Sequence, residues 1–427
     1  MSDLVPEGWS YDQLGDYISE SVAGEWGIEA TGDANDIPVL RSTNFTASGI
    51  IDYSKLAYRN IDERKRLAKS LKFGDIVLEK SGGSPTQPVG RVVYFDKYKP
   101  FLFSNFTQKL SPVDTCDSKF LFYKLYSEYQ NGTVLKFQQQ TTGIINFQLA
   151  EYLGYKSAFP PLPEQQKIAT ILSSVDDVIE KTRAQIDKLK DLKTGMMQEL
   201  LTKGIGHTEF KDSPVGQIPR SWDVVSVGSL TDVIDPQPDH RTPAEVIDGV
   251  PYVGLGDIGK SGLIDFSAAR KVSQEAFEKQ KEGFEIHPGA FIFGKIGTIG
   301  KPYVLPTERF YCLSANVVLV TTKKSINMKY LFQVFGSEII DQQVLLQTNT
   351  TSQPALGIKK VRDFLVPYPK QCEEVELITE VLASVDNRIS RVNDKLAHQL
   401  DLKKALMQDL LTGKVRVNLT DKESAVV

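Results

Sequence analysis

Hydrophobic positions along the chain follow two different periods, and the change between them divides the sequence. Through residues 1–155 short apolar runs alternate with Gly, Pro and Asn, as in 37–45 (IPVLRSTNF), 74–83 (GDIVLEKSGG) and 89–95 (VGRVVYF). Such runs predict strands joined by turns. Residues 61–72 and 118–130 space their apolar positions by threes and fours instead, which predicts helices. From Glu164 to Lys203, 40 residues, the helical period takes over completely. Ile168, Leu172, Val175, Ile179, Ile186, Leu189, Leu192, Met196 and Leu200 form one stripe. Pro160, Pro161 and Pro163 introduce it and Gly204 and Gly206 end it. At 1.5 Å per residue this predicts a helix roughly 60 Å long.

The same helix occurs twice. Residues 174–202 and 384–412 align without a gap at an offset of 210, both opening on Ser-Val-Asp. The closing run Asp191, Leu192, Lys193, Met197, Gln198, Leu200, Leu201, Thr202 recurs as Asp401, Leu402, Lys403, Met407, Gln408, Leu410, Leu411, Thr412. The second stripe holds Ile378, Leu382, Val385, Ile389, Val392, Leu396, Leu400, Leu406 and Leu410. An apolar stripe this long needs a partner, and each copy supplies one for the other. Antiparallel pairing would put the preceding blocks at opposite ends of a rod. Thr182 and Gln185 interrupt the first stripe, His398 and Gln399 the second, either as register-fixing positions or as solvated ends.

The blocks before the helices also echo each other. Ile218-Pro219-Arg220-Ser221-Trp222 follows Val5-Pro6-Glu7-Gly8-Trp9 at an offset of 213, and 287–300 (HPGAFIFGKIGTIG) echoes 73–85 (FGDIVLEKSGGSP) at 215, Gly289 on Gly74. The expected fold class is therefore α+β: two mixed α/β blocks alternating with two long helices that pair as an antiparallel coiled coil. The expected boundaries are 1–157 and 207–367 for the blocks, 158–206 and 368–413 for the helices, and 414–427 for a loosely ordered polar tail.

Composition narrows the class. The 427 residues contain no run of 18 apolar positions, and the N-terminus is neither basic nor hydrophobic, so neither a membrane span nor a secretory signal is expected. Cys116, Cys312 and Cys372 lie far apart and fit reduced thiols in the cytoplasm. The net charge of −4 is unevenly spread: residues 1–53 hold ten acids and one base, Arg41, whereas residues 54–99 hold eleven bases and five acids. A local basic patch on an acidic chain suits nucleic-acid binding, and equally a solvated face.

No catalytic chemistry is legible. Gly254-Leu255-Gly256-Asp257-Ile258-Gly259 has the dinucleotide-fingerprint spacing, but Lys260-Ser261-Gly262 continues as a turn where a helix should open. There is no phosphate-binding GxxxxGK[ST] run, and the four histidines and three cysteines do not cluster, so no metal is expected. Asp191-x-Lys193, Asp401-x-Lys403 and Glu63-x-Lys65 are read as solvated helix-surface charges.

Candidate binding residues are clearer. Polar and basic side chains interleave with glycine in two loops of each block. In the first block these are Lys80, Ser81, Thr86, Gln87 and Arg91, then Gln138, Gln139, Gln140, Thr141, Thr142 and Asn146, with Arg41 beside them as a further DNA-binding candidate. In the second they are Lys295, Thr298 and Lys301, then Gln347, Asn349, Thr350, Thr351, Ser352 and Gln353. Amides can pair with adenine and cationic side chains with guanine, while hydroxyls suit phosphates.

Two divergent blocks alternating with two similar long helices, each introduced by a Pro-rich run (Pro160-Pro161-Leu162-Pro163-Glu164-Gln165 and Pro367-Tyr368-Pro369), resemble the specificity subunit of a type I restriction–modification enzyme. The second copy departs in having Lys370-Gln371-Cys372-Glu373 where the first has Glu164-Gln165. The resemblance implies that each block is a target recognition domain reading half of a split, asymmetric sequence in double-stranded DNA. It implies a coiled-coil ruler between them, and docking of two modification subunits and of restriction subunits. S-adenosylmethionine, ATP and Mg²⁺ would sit on those partners, and this chain would bind no cofactor and carry no catalytic site. The recurring polar residues Asp191, Lys193, Gln198, Asp401, Lys403 and Gln408 are then the expected partner-binding surface. Two other readings stay open on the residues alone. One is a non-catalytic coiled-coil scaffold for proteins. The other is a self-sufficient enzyme, against which the missing cofactor and Asn/Asp-Pro-Pro-aromatic motifs speak.

Overall fold

The computed structural model describes residues 5–84, 86–141, 143–239, 241–259, 262–348 and 355–419. The chain divides into two compact units, Met1–Arg183 with Lys395–Val427, and Ala184–Asp394. Each unit contains one block, the start of one long helix and the end of the other.

In the first unit a four-stranded antiparallel sheet runs in the order Ile18–Ala23, Thr107–Pro112, Ile76–Glu79, Val92–Tyr94. In the second the order is Asp232–Ile234, Val317–Thr321, Phe291–Gly294, Gly300–Val304. The central strands are buried on both faces (Ile76, Val77 and Leu78; Phe291, Ile292 and Phe293), so they read as continuous apolar runs and not as alternations. A second sheet in each unit includes one parallel pair, Val39↔Leu102 and Leu40↔Phe103 in the first, Tyr252↔Cys312 and Val253↔Leu313 in the second. The strand expected over 37–45 stops at Leu40. There Asn44 Oδ1 accepts the Arg41 amide at 3.0 Å and turns Ser42–Asn44 into a 3₁₀ turn, a local bond that competes with the ladder. The helix expected over 61–72 is trimmed to Glu63–Lys69, capped by Asp62.

In the first block the first and last strands pair, Ser10–Gln13 with Lys156–Phe159; in the second, after a hairpin of Phe210–Ser213 and Gly216–Pro219, Asp223–Ser226 pairs with the last strand, Leu365–Tyr368. This brings the chain back to its entry point just where a long helix begins. The long helices span Leu162–Lys203 and Cys372–Leu410. Within the first unit Ile168, Ala169 and Leu172 share a core with Met407 and Leu410 of the other helix and with Leu411 just past its end, packed on Trp9, Phe120 and Leu121. Within the second, Met197 and Leu201 share a core with Val375, Ile378 and Leu382, packed on Trp222, Tyr330 and Phe335. The start of each helix therefore meets the end of the other, and the pairing is antiparallel. Each such buried aliphatic side chain contributes about 1.5–3 kcal/mol. Of the interrupting positions, Thr182 is buried and donates to Val178 O at 2.8 Å, whereas Gln185 and His398 are exposed and lie outside the seam.

The Gly254–Gly259 stretch forms a 3₁₀ turn, Leu255–Asp257, with Asp257 Oδ2 accepting the Gly254 amide at 2.8 Å. Lys260 and Ser261 lie outside the described residues. No helix among the described residues is long and apolar enough to cross a membrane.

Candidate nucleic-acid interface

The loops singled out in the first block fold into one small sheet. Ser81–Gly82, Ile144–Phe147 and Gln138–Thr141 lie side by side, with Ser81 opposite Asn146 and Asn146 opposite Gln139. Residues directly opposite on antiparallel strands project to the same face. Ser81, Asn146 and Gln139 thus form a polar row, tied by Ser81 Oγ donating to Asn146 Oδ1 at 2.8 Å. Gln139 and Gln140 are exposed, as are Thr86 and Gln87 on the adjoining hairpin. Lys80 stands at the root of the row, half-buried, and no hydrogen bond or ion pair holds its Nζ among the described residues. Burial, with a smaller push from Lys69, lowers its pKa. An unpaired, partly desolvated cation beside exposed amides is a ready phosphate contact.

Other expected contacts are taken up by the fold. Arg91 is buried: its guanidinium grips Glu79 through Nε at 2.7 Å and a second nitrogen at 3.1 Å, and also donates to Phe45 O and Ser42 O. Lys295 is buried on Asp235 at 2.7 Å. Gln138 spends its amide on Val89 O at 3.2 Å. Arg41 donates to Lys55 O at 3.0 Å, with its Nε buried and unpartnered. A buried charge without a partner is expensive, so a polar side chain next to a carboxylate or carbonyl turns inward instead of out. In the second unit Thr298 and Lys301 remain exposed, and Lys301 is the only non-glycine with positive φ (57°) among the described residues. Thr142, Asn349, Thr350, Thr351, Ser352 and Gln353 lie outside the described residues, and Thr141 is placed only as the end of its strand.

Part of the polar repeat on the long helices is paired across them. Lys193 Nζ pairs with Asp386 at 2.8 Å, and Lys403 Nζ pairs with Asp176 at 2.7 Å. Both the lysines and the acids are 210 residues apart. Each acid takes a second bond, Asp176 from Tyr123 Oη at 2.7 Å and Asp386 from Gln333 Nε2 at 3.0 Å, again 210 apart. The acid of each Ser-Val-Asp opening thus bonds to the lysine of the other helix's Asp-x-Lys run. Lys193 and Lys403 are not free surface charges, and Lys65 likewise pairs with Glu25 at 3.2 Å. Asp191, Gln198, Asp401 and Gln408 stay exposed.

The two glutamines line matching clefts. One of about 660 Å³ in the first unit is walled by Ser127, Met407, Gln408 and Thr412. One of about 620 Å³ in the second is walled by Ser337, Met197, Gln198 and Thr202. Every member of each pair is 210 residues from its counterpart. Asp401 lines the first cleft, while Gln198 donates to Glu338 at 3.2 Å in the second.

A further duplicated feature was missed in the sequence. Trp9 Nε1 donates to Glu164 Oε2 and Trp222 Nε1 to Glu374 Oε2, both at 3.0 Å. The segment leaving each helix returns to the same carboxylate: Arg416 binds Glu164 at 2.7 and 2.8 Å, and His207 Nε2 meets Glu374 Oε1 at 2.8 Å. The signal was available, because the helix offset of 210 carries Glu164 to Glu374, not to Lys370. The tail expected to be loose is thus anchored at Arg416; residues 420–427 lie outside the described residues.

This duplicated layout has close parallels. The sequence model of the type I restriction modification DNA specificity domain matches the chain twice, over residues 6–191 and 219–401. The chain belongs to that family. It is a type I specificity subunit with two target recognition domains, and the family role is non-catalytic. The type I restriction enzyme MjaVIII specificity subunit of Methanocaldococcus jannaschii is 26% identical over 429 residues, covering 97% of this chain and 94% of that relative. The EcoBI specificity subunit of Escherichia coli is 20% identical over 278 residues, 60% of this chain and 57% of the relative. Two solved structures share the fold at 15% identity. One is the type I S subunit from M. genitalium, with a TM-score of 0.52 over 96% of this chain and 97% of that one. The other comes from work on assembly and conformational transition of a type I system, with a TM-score of 0.56 over 96% and 99%.

Proposed function

We propose that residues 1–157 and 207–367 each read one half of a bipartite, asymmetric target in double-stranded DNA, and that the helices of 158–206 and 368–413 set the unread gap between the halves. The observation that carries this is the duplicated unit: the same sheet order, the same Trp–Glu lock and the same Lys–Asp pair, with loops that have diverged. Duplication within one chain lets each half-site be read by its own chemistry, so the target need not be palindromic, in contrast to the two-fold targets of symmetric dimers. Lys80, Ser81, Gln139, Gln140 and Asn146 are the base and phosphate contacts of the first half; Thr298, Lys301 and residues 349–353 belong to the second.

The matching clefts, with Gln408 in one and Gln198 in the other, seat two copies of one modification subunit. Asp191 and Asp401 extend those seats along the helices. S-adenosylmethionine and the methyltransferase site belong to that subunit, and ATP and Mg²⁺ to the restriction subunits that join it. The complex works in the cytoplasm. Methylome sequencing of cells with and without this gene tests the reading. A single split motif modified only when the gene is present is the expected result, and modification with no discrete split motif refutes it.

A further inference from the structure

The loop that carries the polar row in the first unit has a backbone counterpart in the second, bond for bond. In the first, Phe106 O accepts from the Lys80 and Ser81 amides at 2.9 and 3.2 Å, and Phe147 N donates to Lys80 O at 2.8 Å. In the second, Asn316 O accepts from the Lys295 and Ile296 amides at 2.9 and 3.3 Å, and Leu356 N donates to Lys295 O at 2.8 Å. Ser81 pairs with Asn146, and Ile296 pairs with Ala355. The frame is the same, and the side chains on it are not.

Where the first unit holds a hydroxyl bonded to an amide, the second holds two apolar side chains side by side. Ile296 is 38% exposed and Ala355 is exposed. The exchange is not a general loss of polarity, because at the anchor it runs the other way, from the exposed Phe106 to the exposed Asn316. The cation at the root differs too, Lys80 standing unpaired and Lys295 neutralised by Asp235. An exposed apolar pair held at a fixed register beside a polar anchor matches one feature of a base edge in the major groove, the thymine methyl group.

We propose that Ile296 and Ala355 contact a thymine methyl in the half-site read by the second unit, whereas the equivalent row of the first unit reads hydrogen-bonding base edges. The proposal rests on the reading of these rows as base-facing. Given the split motif from methylome sequencing, duplexes are prepared with deoxyuridine replacing each thymine in turn. Binding of the complex with its modification subunits is then measured for the native chain and for Ile296→Ser, the residue found at position 81. Photocrosslinking through 5-iododeoxyuridine, which keeps a methyl-sized group, assigns each half-site to a unit.

Loss of the methyl at one thymine of the second unit's half-site should weaken native binding about fourfold, the factor for one buried methyl-sized group. In Ile296→Ser the same replacement should cost clearly less, only the Ala355 contact being left. A half-site without thymine, native binding insensitive to deoxyuridine there, or a penalty undiminished in Ile296→Ser overturns the methyl contact. If Ile296→Ser instead binds every duplex as the native chain does, the row is not base-facing, and the underlying reading falls with it.

Discussion

Replacing Lys403 with methionine tests whether the recurring lysines hold the helices together. Lys403 is 9% exposed at the side chain and Asp176 28%, against 23% and 38% for Lys193 and Asp386. Methionine keeps the aliphatic stem, so the change isolates the ammonium. That ammonium also lies 5.5 Å from the Tyr123 ring and 5.1 Å from the Tyr126 ring. A hydrogen bond to a charged group contributes about 1.5–3 kcal/mol, and each cation–π contact adds about 0.5–1. Lys403→Met should therefore destabilise the first unit by roughly 2.5–5 kcal/mol. Lys193→Met, more exposed, should cost only about 0.5–1. For a unit of roughly 200 residues these correspond to Tm shifts of about 5–20 °C and 1–4 °C. Thermal unfolding of both variants, and a double-mutant cycle of Lys403→Met with Asp176→Asn, provide the measurement. Asparagine keeps an acceptor for Tyr123, so the cycle reports the ion pair alone. Equal shifts at the two sites, or a coupling below about 0.5 kcal/mol, would show that the recurrence has some other cause.

Lys80→Ala should lower DNA affinity and reduce the slope of log affinity against log salt by about 0.9, the effect of one phosphate contact. Lys295→Ala should leave that slope alone and reduce stability, because it strands Asp235. Inserting one helical turn near Gln185, about 5.4 Å, should lengthen the gap of the recognised sequence by one or two base pairs at about 3.4 Å each; methylome sequencing that returns the original gap counts against the ruler. Replacing Gln138–Thr142 should alter one half-site only, and a uniform loss for all sequences would assign the segment to phosphates. Maleimide at pH 8 should label one thiol of the native chain, the exposed Cys372, and all three after unfolding. Burial pushes Cys116 up to about 12 and Cys312 up to about 11, leaving both as inert thiols.

The helices were legible because their signal is long: nine apolar positions at one period, repeated at a constant offset, outweigh any local ambiguity. The same offset also held the Lys–Asp pairs, but a period of three and four tells which face a residue is on, not what stands opposite. Lys193 and Asp386 are nearly two hundred residues apart in sequence, and only the antiparallel register brings them together. The site loops were harder. Composition marked Lys80, Ser81, Gln139 and Asn146 in two separate loops, and strand pairing joins them. It failed at Arg91 and Lys295, whose partners Glu79 and Asp235 come from one and two strands across the sheet and reverse the meaning of a basic residue. It passed over Ile296 and Ala355 because apolar residues in a loop carry no polar signature.

The anchoring of Arg416 on Glu164 sets the order in which the chain can complete itself. The second unit is contiguous, Ala184–Asp394, and all of it has been made before the last helix ends. The first unit begins the chain but needs Met407, Leu410 and Arg416 to cover its core and neutralise its buried carboxylate. At about 5–20 residues per second, the N-terminal block waits on the order of 10–50 s for those residues. The first domain synthesised is thus the last to close, and a chain truncated before its final turn of helix yields a finished second reader beside an open first one.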